Sequence, residues 1–176
     1  MYYAQIRDFD LTNGKGVRVS LFVSGCEHYC KGCFNKIAWN FNYGLPFTNE
    51  EVIKIEKLLD RNSIKGLTIL GGEPLHPNNI KTVVDLIKII RRDLPMKDIW
   101  LYTGYTFEEL LSRDDRLLII TDLLPNIDVL VDGRFEEELA DKTLAYRGSS
   151  NQRLIDMKET MRNRLGDISI LKPVTE

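Results

Sequence analysis

Segments of two different periodicities alternate along this chain, and no other feature restricts its fold as much. Val17-Arg18-Val19-Ser20-Leu21-Phe22-Val23-Ser24 is a β-branched, aromatic-containing run of the kind that forms strands. Thr48 and Glu51 stand at capping-box spacing, and Val52, Ile55, Leu58 and Leu59 follow as one helical face. Leu67-Thr68-Ile69-Leu70 reads as a short buried strand stopped by Gly71-Gly72, and Ile80, Val83, Val84, Ile87 and Ile90 line a second helix that closes before Pro95. Ile99-Trp100-Leu101-Tyr102 is a third strand. Thr106 and Glu109 form another capping box, and a helical stretch covers about Arg116 to Leu124. Ile127-Asp128-Val129-Leu130-Val131 is a fourth strand, and Ile168-Ser169-Ile170-Leu171 a last one. This rhythm predicts an α/β fold with a mostly parallel sheet and crossover helices. No repeat, low-complexity tract or linker divides it, so residues 1–176 form one domain.

In such folds the loops after the carboxyl ends of the strands build the site. Every unusual motif falls on one. Cys26, Cys30 and Cys33 follow the first strand, Gly71-Gly72-Glu73-Pro74 the second, Thr103-Gly104-Tyr105 the third and Asp132-Gly133-Arg134 the fourth. These loops are expected to converge on one face. Bulk charge adds a boundary: 24 basic against 26 acidic residues gives −2, so nothing electrostatic calls for nucleic acid or an anionic membrane. No apolar run approaches a membrane span, and Met1-Tyr2-Tyr3-Ala4-Gln5-Ile6-Arg7-Asp8 lacks a signal-peptide core. The expected location is the cytoplasm, where clustered cysteines read as metal or redox chemistry.

The chain has three cysteines, all within Cys26-Glu27-His28-Tyr29-Cys30-Lys31-Gly32-Cys33. Three thiolates on a short loop hold a 4Fe-4S cluster with one iron open to a non-protein ligand, whereas closed structural sites take four protein ligands. The competing reading is zinc bound by these cysteines plus His28, which needs four ligands from eight consecutive residues instead of two separated knuckles. Otherwise His28 reads as a solvated loop histidine, with a role supporting the ligands from behind or facing the substrate as the alternatives. Gly71-Gly72 lets backbone approach a ligand closely, and the Glu73 carboxylate can hold a ligand ammonium. Alone, that loop is equally a turn.

The spacing C-x3-C-x2-C, followed one strand later by Gly-Gly-Glu-Pro, resembles the radical S-adenosylmethionine (SAM) family. The resemblance implies an incomplete βα barrel and a 4Fe-4S cluster on Cys26, Cys30 and Cys33. It further implies that Gly71, Gly72 and Glu73 contact the methionyl amino group of SAM. In that chemistry SAM chelates the open iron, an electron from the reduced cluster splits it, and a 5′-deoxyadenosyl radical takes a hydrogen atom from the substrate. Lys31 departs from the pattern, because a hydrophobic residue often follows the second cysteine where adenine is seated.

Asn13-Gly14-Lys15-Gly16-Val17-Arg18, Cys33-Phe34-Asn35 and Trp39 look like segments of glycyl-radical-enzyme activases. Asp128–Phe135 and Arg147–Arg153 resemble the branch that activates anaerobic (class III) ribonucleotide reductase, and the likeness runs from about Tyr3 to about Asp156. It implies a protein substrate, a glycine of the large reductase subunit, and a low-potential electron donor such as flavodoxin. Asp132 is expected at a ribose hydroxyl and Arg134 at the SAM carboxylate, with a surface turn around Gly133 as the alternative. The Arg147–Arg153 segment docks the reductase, closes over the site, or is a turn followed by a strand. Tyr102, Tyr105 and Trp100 read as core or pocket wall. Alternatives are an activase of another glycyl radical enzyme such as pyruvate formate-lyase, a small-molecule radical SAM enzyme, or a zinc-binding module.

Overall fold

The computed structural model describes residues 1–163 and 167–171. Seven strands, β1 (Tyr2–Asp10), β2 (Arg18–Val23), β3 (Leu45–Pro46), β4 (Gly66–Gly71), β5 (Asp98–Tyr102), β6 (Val129–Asp132) and β7 (Arg153–Asp156), build one sheet in the order β3-β1-β2-β4-β5-β6-β7. The four predicted strands β2, β4, β5 and β6 are its parallel centre. The edges correct the expectation of a mostly parallel sheet. β1 lies antiparallel to β2 and β3, and β7 antiparallel to β6. The loop of residues 11–17 between β1 and β2 is too short for a crossover, so a hairpin is the only connection open to it. The strand expected over Ile168–Leu171 is reduced to a single bridge, Ile155 opposite Ile170, alongside β7.

The helices are α1 (Asn49–Leu59), α2 (Ile80–Asp93), α3 (Phe107–Ser112), α4 (Arg116–Leu118) and α5 (Met157–Arg162). Both capping boxes form, Thr48 with Glu51 and Thr106 with Glu109. The helix expected over 116–124 starts as α4, then opens into a π turn over Ile119–Leu123 and a 3-10 turn over Leu124–Asn126. The wider turn buries Ile119, Leu123 and Leu124 together, which a regular 3.6-residue period would not do for three such positions.

The sheet has two unlike faces. Val19, Leu21, Val23, Leu67, Ile69, Ile99, Leu101 and Leu130 point to the helices and pack with Ile55, Leu59, Val83, Ile87, Ile90, Phe107 and Leu110 in the main core. Burying a side chain of this size contributes about 1.5–3 kcal/mol. The other face carries Trp100, Val129, Val131 and Leu154, with Tyr102 and Tyr146 packed against them. Tyr146 comes from the β6–β7 connection, which crosses this face as a strap. Beneath it, at the amino end of the parallel strands, the 11–17 loop is fastened by Arg18. The Arg18 guanidinium is buried, donating to Thr68 Oγ1 (2.6 Å) and to the Leu67 carbonyl (2.8 Å), paired with Asp98 (2.6 Å) and stacked near Trp100.

Candidate metal and cofactor site

Between the strap and the sheet, at the carboxyl ends of the parallel strands, lies a cavity of about 370 Å³, within the size range of ligand sites. It is lined by Cys26, Cys30 and Cys33, by Gly71, Gly72 and Glu73, by Thr103 and Gly104, and by Gly133 and Arg134. All four motif-bearing loops therefore meet there. Tyr102 forms part of the wall, in keeping with its reading as core or pocket.

The cysteine loop leaves β2 and is pinned at its start, where Gly25 N donates to the Ala38 carbonyl (2.8 Å) and Cys26 N to that of Trp39 (3.2 Å). A turn in which Cys33 N donates to the Cys30 carbonyl (3.2 Å) brings the last two cysteines together. Cys26 is buried, Cys30 and Cys33 half-buried, and none is in a disulfide. Burial pushes the Cys26 thiol up to about 11, against a backbone hydrogen bond from His28, and burial likewise raises Cys30. Such thiols ionise when a cation replaces the lost solvation, so metal loading releases protons. Among the described residues, no group of three or more His, Cys, Asp or Glu side chains is arranged to hold a single metal ion. The three thiols share one cavity wall. That donor set suits a cubane, where each thiolate meets a different iron, better than one zinc ion.

The Gly-Gly-Glu-Pro loop is laced to the cysteine loop. Gly72 N donates to the Val23 carbonyl and Glu73 N to that of Gly25, both at 2.8 Å. Gly72 runs so close that a Cβ there would stand 2.6 Å from the Gly25 oxygen. The Glu73 side chain, 1% exposed, takes donors on both oxygens. Oε1 accepts from Leu75 N and Thr103 Oγ1 (2.8 Å each). Oε2 accepts from Gly104 N and meets His28 Nε2, both at 2.7 Å. The expectation of a solvated His28 is thus overturned. Its side chain is 9% exposed, stands edge-on to Tyr105 at 4.7 Å and lines the cavity. Glu73, 45 residues away in the chain, is what draws it in, and its ring nitrogen is committed to that carboxylate.

A family described as "4Fe-4S single cluster domain" matches residues 12–155. The chain is 46% identical to the anaerobic ribonucleoside-triphosphate reductase-activating protein of Pasteurella multocida, over 86% of this chain and 95% of the relative. It is 45% identical to the protein of that name from Escherichia coli K12, over 86% and 96%, and 42% identical to that of Enterobacteria phage T4, over 88% and 93%. The chain belongs to the family of anaerobic ribonucleoside-triphosphate reductase-activating proteins.

In this member of the reductase-activating family the remaining predicted residues divide. Arg134 lines the cavity and is steadied by Glu109 at 3.0 and 3.1 Å. Asp132 is buried and is not part of the cavity wall. Its carboxylate accepts from Phe107 N (2.7 Å) at the start of α3 and pairs with Arg153 of β7. The ribose contact expected of Asp132 is therefore not on offer in this conformation, since its oxygens fasten two elements. Lys31 points away to Glu137 (3.1 Å) and Glu138 (3.4 Å), so its charge leaves the cavity free. The Arg147–Arg153 segment combines two of its readings. It is a turn leading into β7, and it also closes over the site, because Arg147, Gly148 and Gln152 line the cavity. Gln152 fastens it, accepting from Gly148 N (2.8 Å) and donating to the Gly133 carbonyl (2.9 Å). No helix of the described residues is long and apolar enough to cross a membrane.

Proposed function

We propose that this protein is a radical SAM activase that generates a glycyl radical on the large subunit of the anaerobic ribonucleotide reductase. The observation that carries the reading is the meeting of a three-cysteine loop and a Gly-Gly-Glu-Pro loop in one cavity, in a chain that shares its family with reductase-activating proteins. Cys26, Cys30 and Cys33 are the ligands of a 4Fe-4S cluster with one open iron. The cluster and SAM supply, when bound, the reductive cleavage that yields the hydrogen-abstracting 5′-deoxyadenosyl radical. The protein's own part is positioning. Gly71 and Gly72 let backbone approach SAM, Glu73 receives its ammonium, and Arg134 sits where it can meet the carboxylate. The strap keeps water from the opposite wall. The architecture is read as an incomplete βα barrel in a single domain, open on one side to a polypeptide. An external low-potential carrier of the flavodoxin type delivers the electron, and the setting is an anaerobic cytoplasm.

The test is iron and sulfide content with an electron paramagnetic resonance spectrum of anaerobically reconstituted, reduced protein before and after SAM. Four irons per chain with a signal shifted by SAM is the expected result, followed by a glycyl radical once reductase is added. Stoichiometric zinc without iron uptake would sink the reading.

A further inference from the structure

A buried carboxylate meant for a ligand cation has to be satisfied before the ligand arrives, because an unpartnered charge away from water is expensive. Glu73 is in that position, at 1% exposed. Three of its four donors belong to the frame. Leu75 N and Gly104 N are backbone, and Thr103 Oγ1 is buried at the end of β5. The fourth, His28 Nε2 at 2.7 Å, differs in kind. It is carried by the cysteine loop and lines the cavity. Its berth is made by a missing side chain, because a Cβ on Gly104 would run into the His28 ring.

We propose that His28 is a placeholder for the ammonium group of SAM. In SAM-free protein its ring N–H occupies the place on Glu73 Oε2 that the ammonium takes, and SAM displaces it. The exchange is one hydrogen-bond donor, the ring N–H, for a charged one. His28 is thereby a positioning residue. It keeps the carboxylate oriented and the cysteine, Gly-Gly-Glu-Pro and β5 loops together until ligand arrives. This rests on the reading of Glu73 as the ammonium ligand.

The experiment compares reconstituted parent, His28→Ala, His28→Gln and Glu73→Gln by iron content, by calorimetric SAM affinity, and by thermal unfolding with and without saturating SAM. Removing a placeholder weakens only the SAM-free state. His28→Ala should lower the SAM-free midpoint by about 2–4 °C, match the parent when SAM is saturating, and bind SAM roughly fivefold more tightly, the same free energy read as affinity. Weaker SAM binding by His28→Ala, or a midpoint that stays low in saturating SAM, would mean that the ring acts in the bound state and would overturn the proposal. Should the alanine variant fail to load iron, His28→Gln decides, since it retains an N–H donor. Affinity at or above the parent's supports displacement, and weaker affinity refutes it. Glu73→Gln separates the two levels. If it binds SAM like the parent, the ammonium reading of Glu73 falls; if it binds weakly while His28→Ala does too, only the placeholder falls.

Discussion

At the scale of single residues, the site depends on close approach as much as on donors. Gly72 lies against the Gly25 and Ala38 carbonyl oxygens, 2.6 and 3.0 Å from where a Cβ would stand. Both are backbone atoms at the two ends of the cysteine segment, tied to each other by the Gly25–Ala38 hydrogen bond, so neither can yield cheaply. Gly72→Ala is expected to cost about 1–3 kcal/mol and to push Gly25 away from its bond with Ala38, next to Cys26. Reduced iron uptake with a lowered urea midpoint is the predicted result. Normal uptake would show that the two loops slide apart without harm. Replacing any one of Cys26, Cys30 or Cys33 by alanine should abolish stable cluster loading, because the chain has no fourth cysteine to substitute. The cysteines and glycines were legible in the sequence because their chemistry lies in residue type and short spacing. The His28–Glu73 bond was not. It joins residues 45 apart, and a histidine between two cysteines looks the same whether it faces solvent or a carboxylate. Asp132 shows the converse, since its motif was visible but its two structural partners were not.

Among elements, the central strands were legible because they are apolar runs buried on both faces, and α1 and α3 because their caps are local side-chain pairs. β1 was not. Tyr2–Asp10 is a half-exposed strand with Gln5, Arg7 and Asp8 among its residues, so no clean alternation marks it. β7, four residues bounded by Arg153 and Asp156, is equally faint. What fixes β1 against β2 is partly polar, and two predictions concern that junction. Arg18→Ala removes the guanidinium that pairs with Asp98 and holds the 11–17 loop. Asp98 then keeps a largely enclosed carboxylate without its partner, and a loss of about 3 kcal/mol is expected by chemical denaturation, with Arg18→Lys restoring only part of it. Asp10, buried where β1 ends, accepts from Asn13 Nδ2 (2.6 Å) and Thr12 N (2.8 Å). Burial alone would raise its carboxyl, but these hydrogen bonds outweigh it and hold it at about 2, below its ordinary 3.8. A folded-state value below the unfolded one means that the stabilisation is complete above the ordinary value and is lost as pH falls through the folded one. Urea midpoints should therefore decline between about pH 4 and about pH 2, and Asp10→Asn should flatten that decline. An unchanged slope in the variant would assign the acid sensitivity elsewhere.

For the molecule as a whole, the two faces of the sheet divide the labour. One carries helices α1 to α5 and most of the buried apolar surface, and the other carries the cavity under a strap with little core of its own. Stability and chemistry are thus separable, and the strap is the part whose loosening should alter chemistry without unfolding the protein. Its wall residues Tyr146, Arg147 and Gly148 are held through few bonds, chiefly Tyr102 Oη to the Tyr146 carbonyl (2.7 Å), Arg147 to the Gln152 carbonyl (2.6 Å) and the Gln152 side-chain pair. Gln152→Ala removes the tie to Gly133 and the acceptor for Gly148 N, while touching neither the cysteine loop nor Glu73. Iron content and SAM affinity should stay as in the parent. What should change is coupling. A looser wall admits water and lets the reductase glycine sit less well, so more SAM should be cleaved for each glycyl radical formed. The measurement is 5′-deoxyadenosine released per glycyl spin in the reductase. A ratio near that of the parent would mean that the strap only covers Trp100 and its neighbours. A ratio raised several-fold at constant SAM affinity would identify the strap as the wall that commits SAM cleavage to the protein substrate.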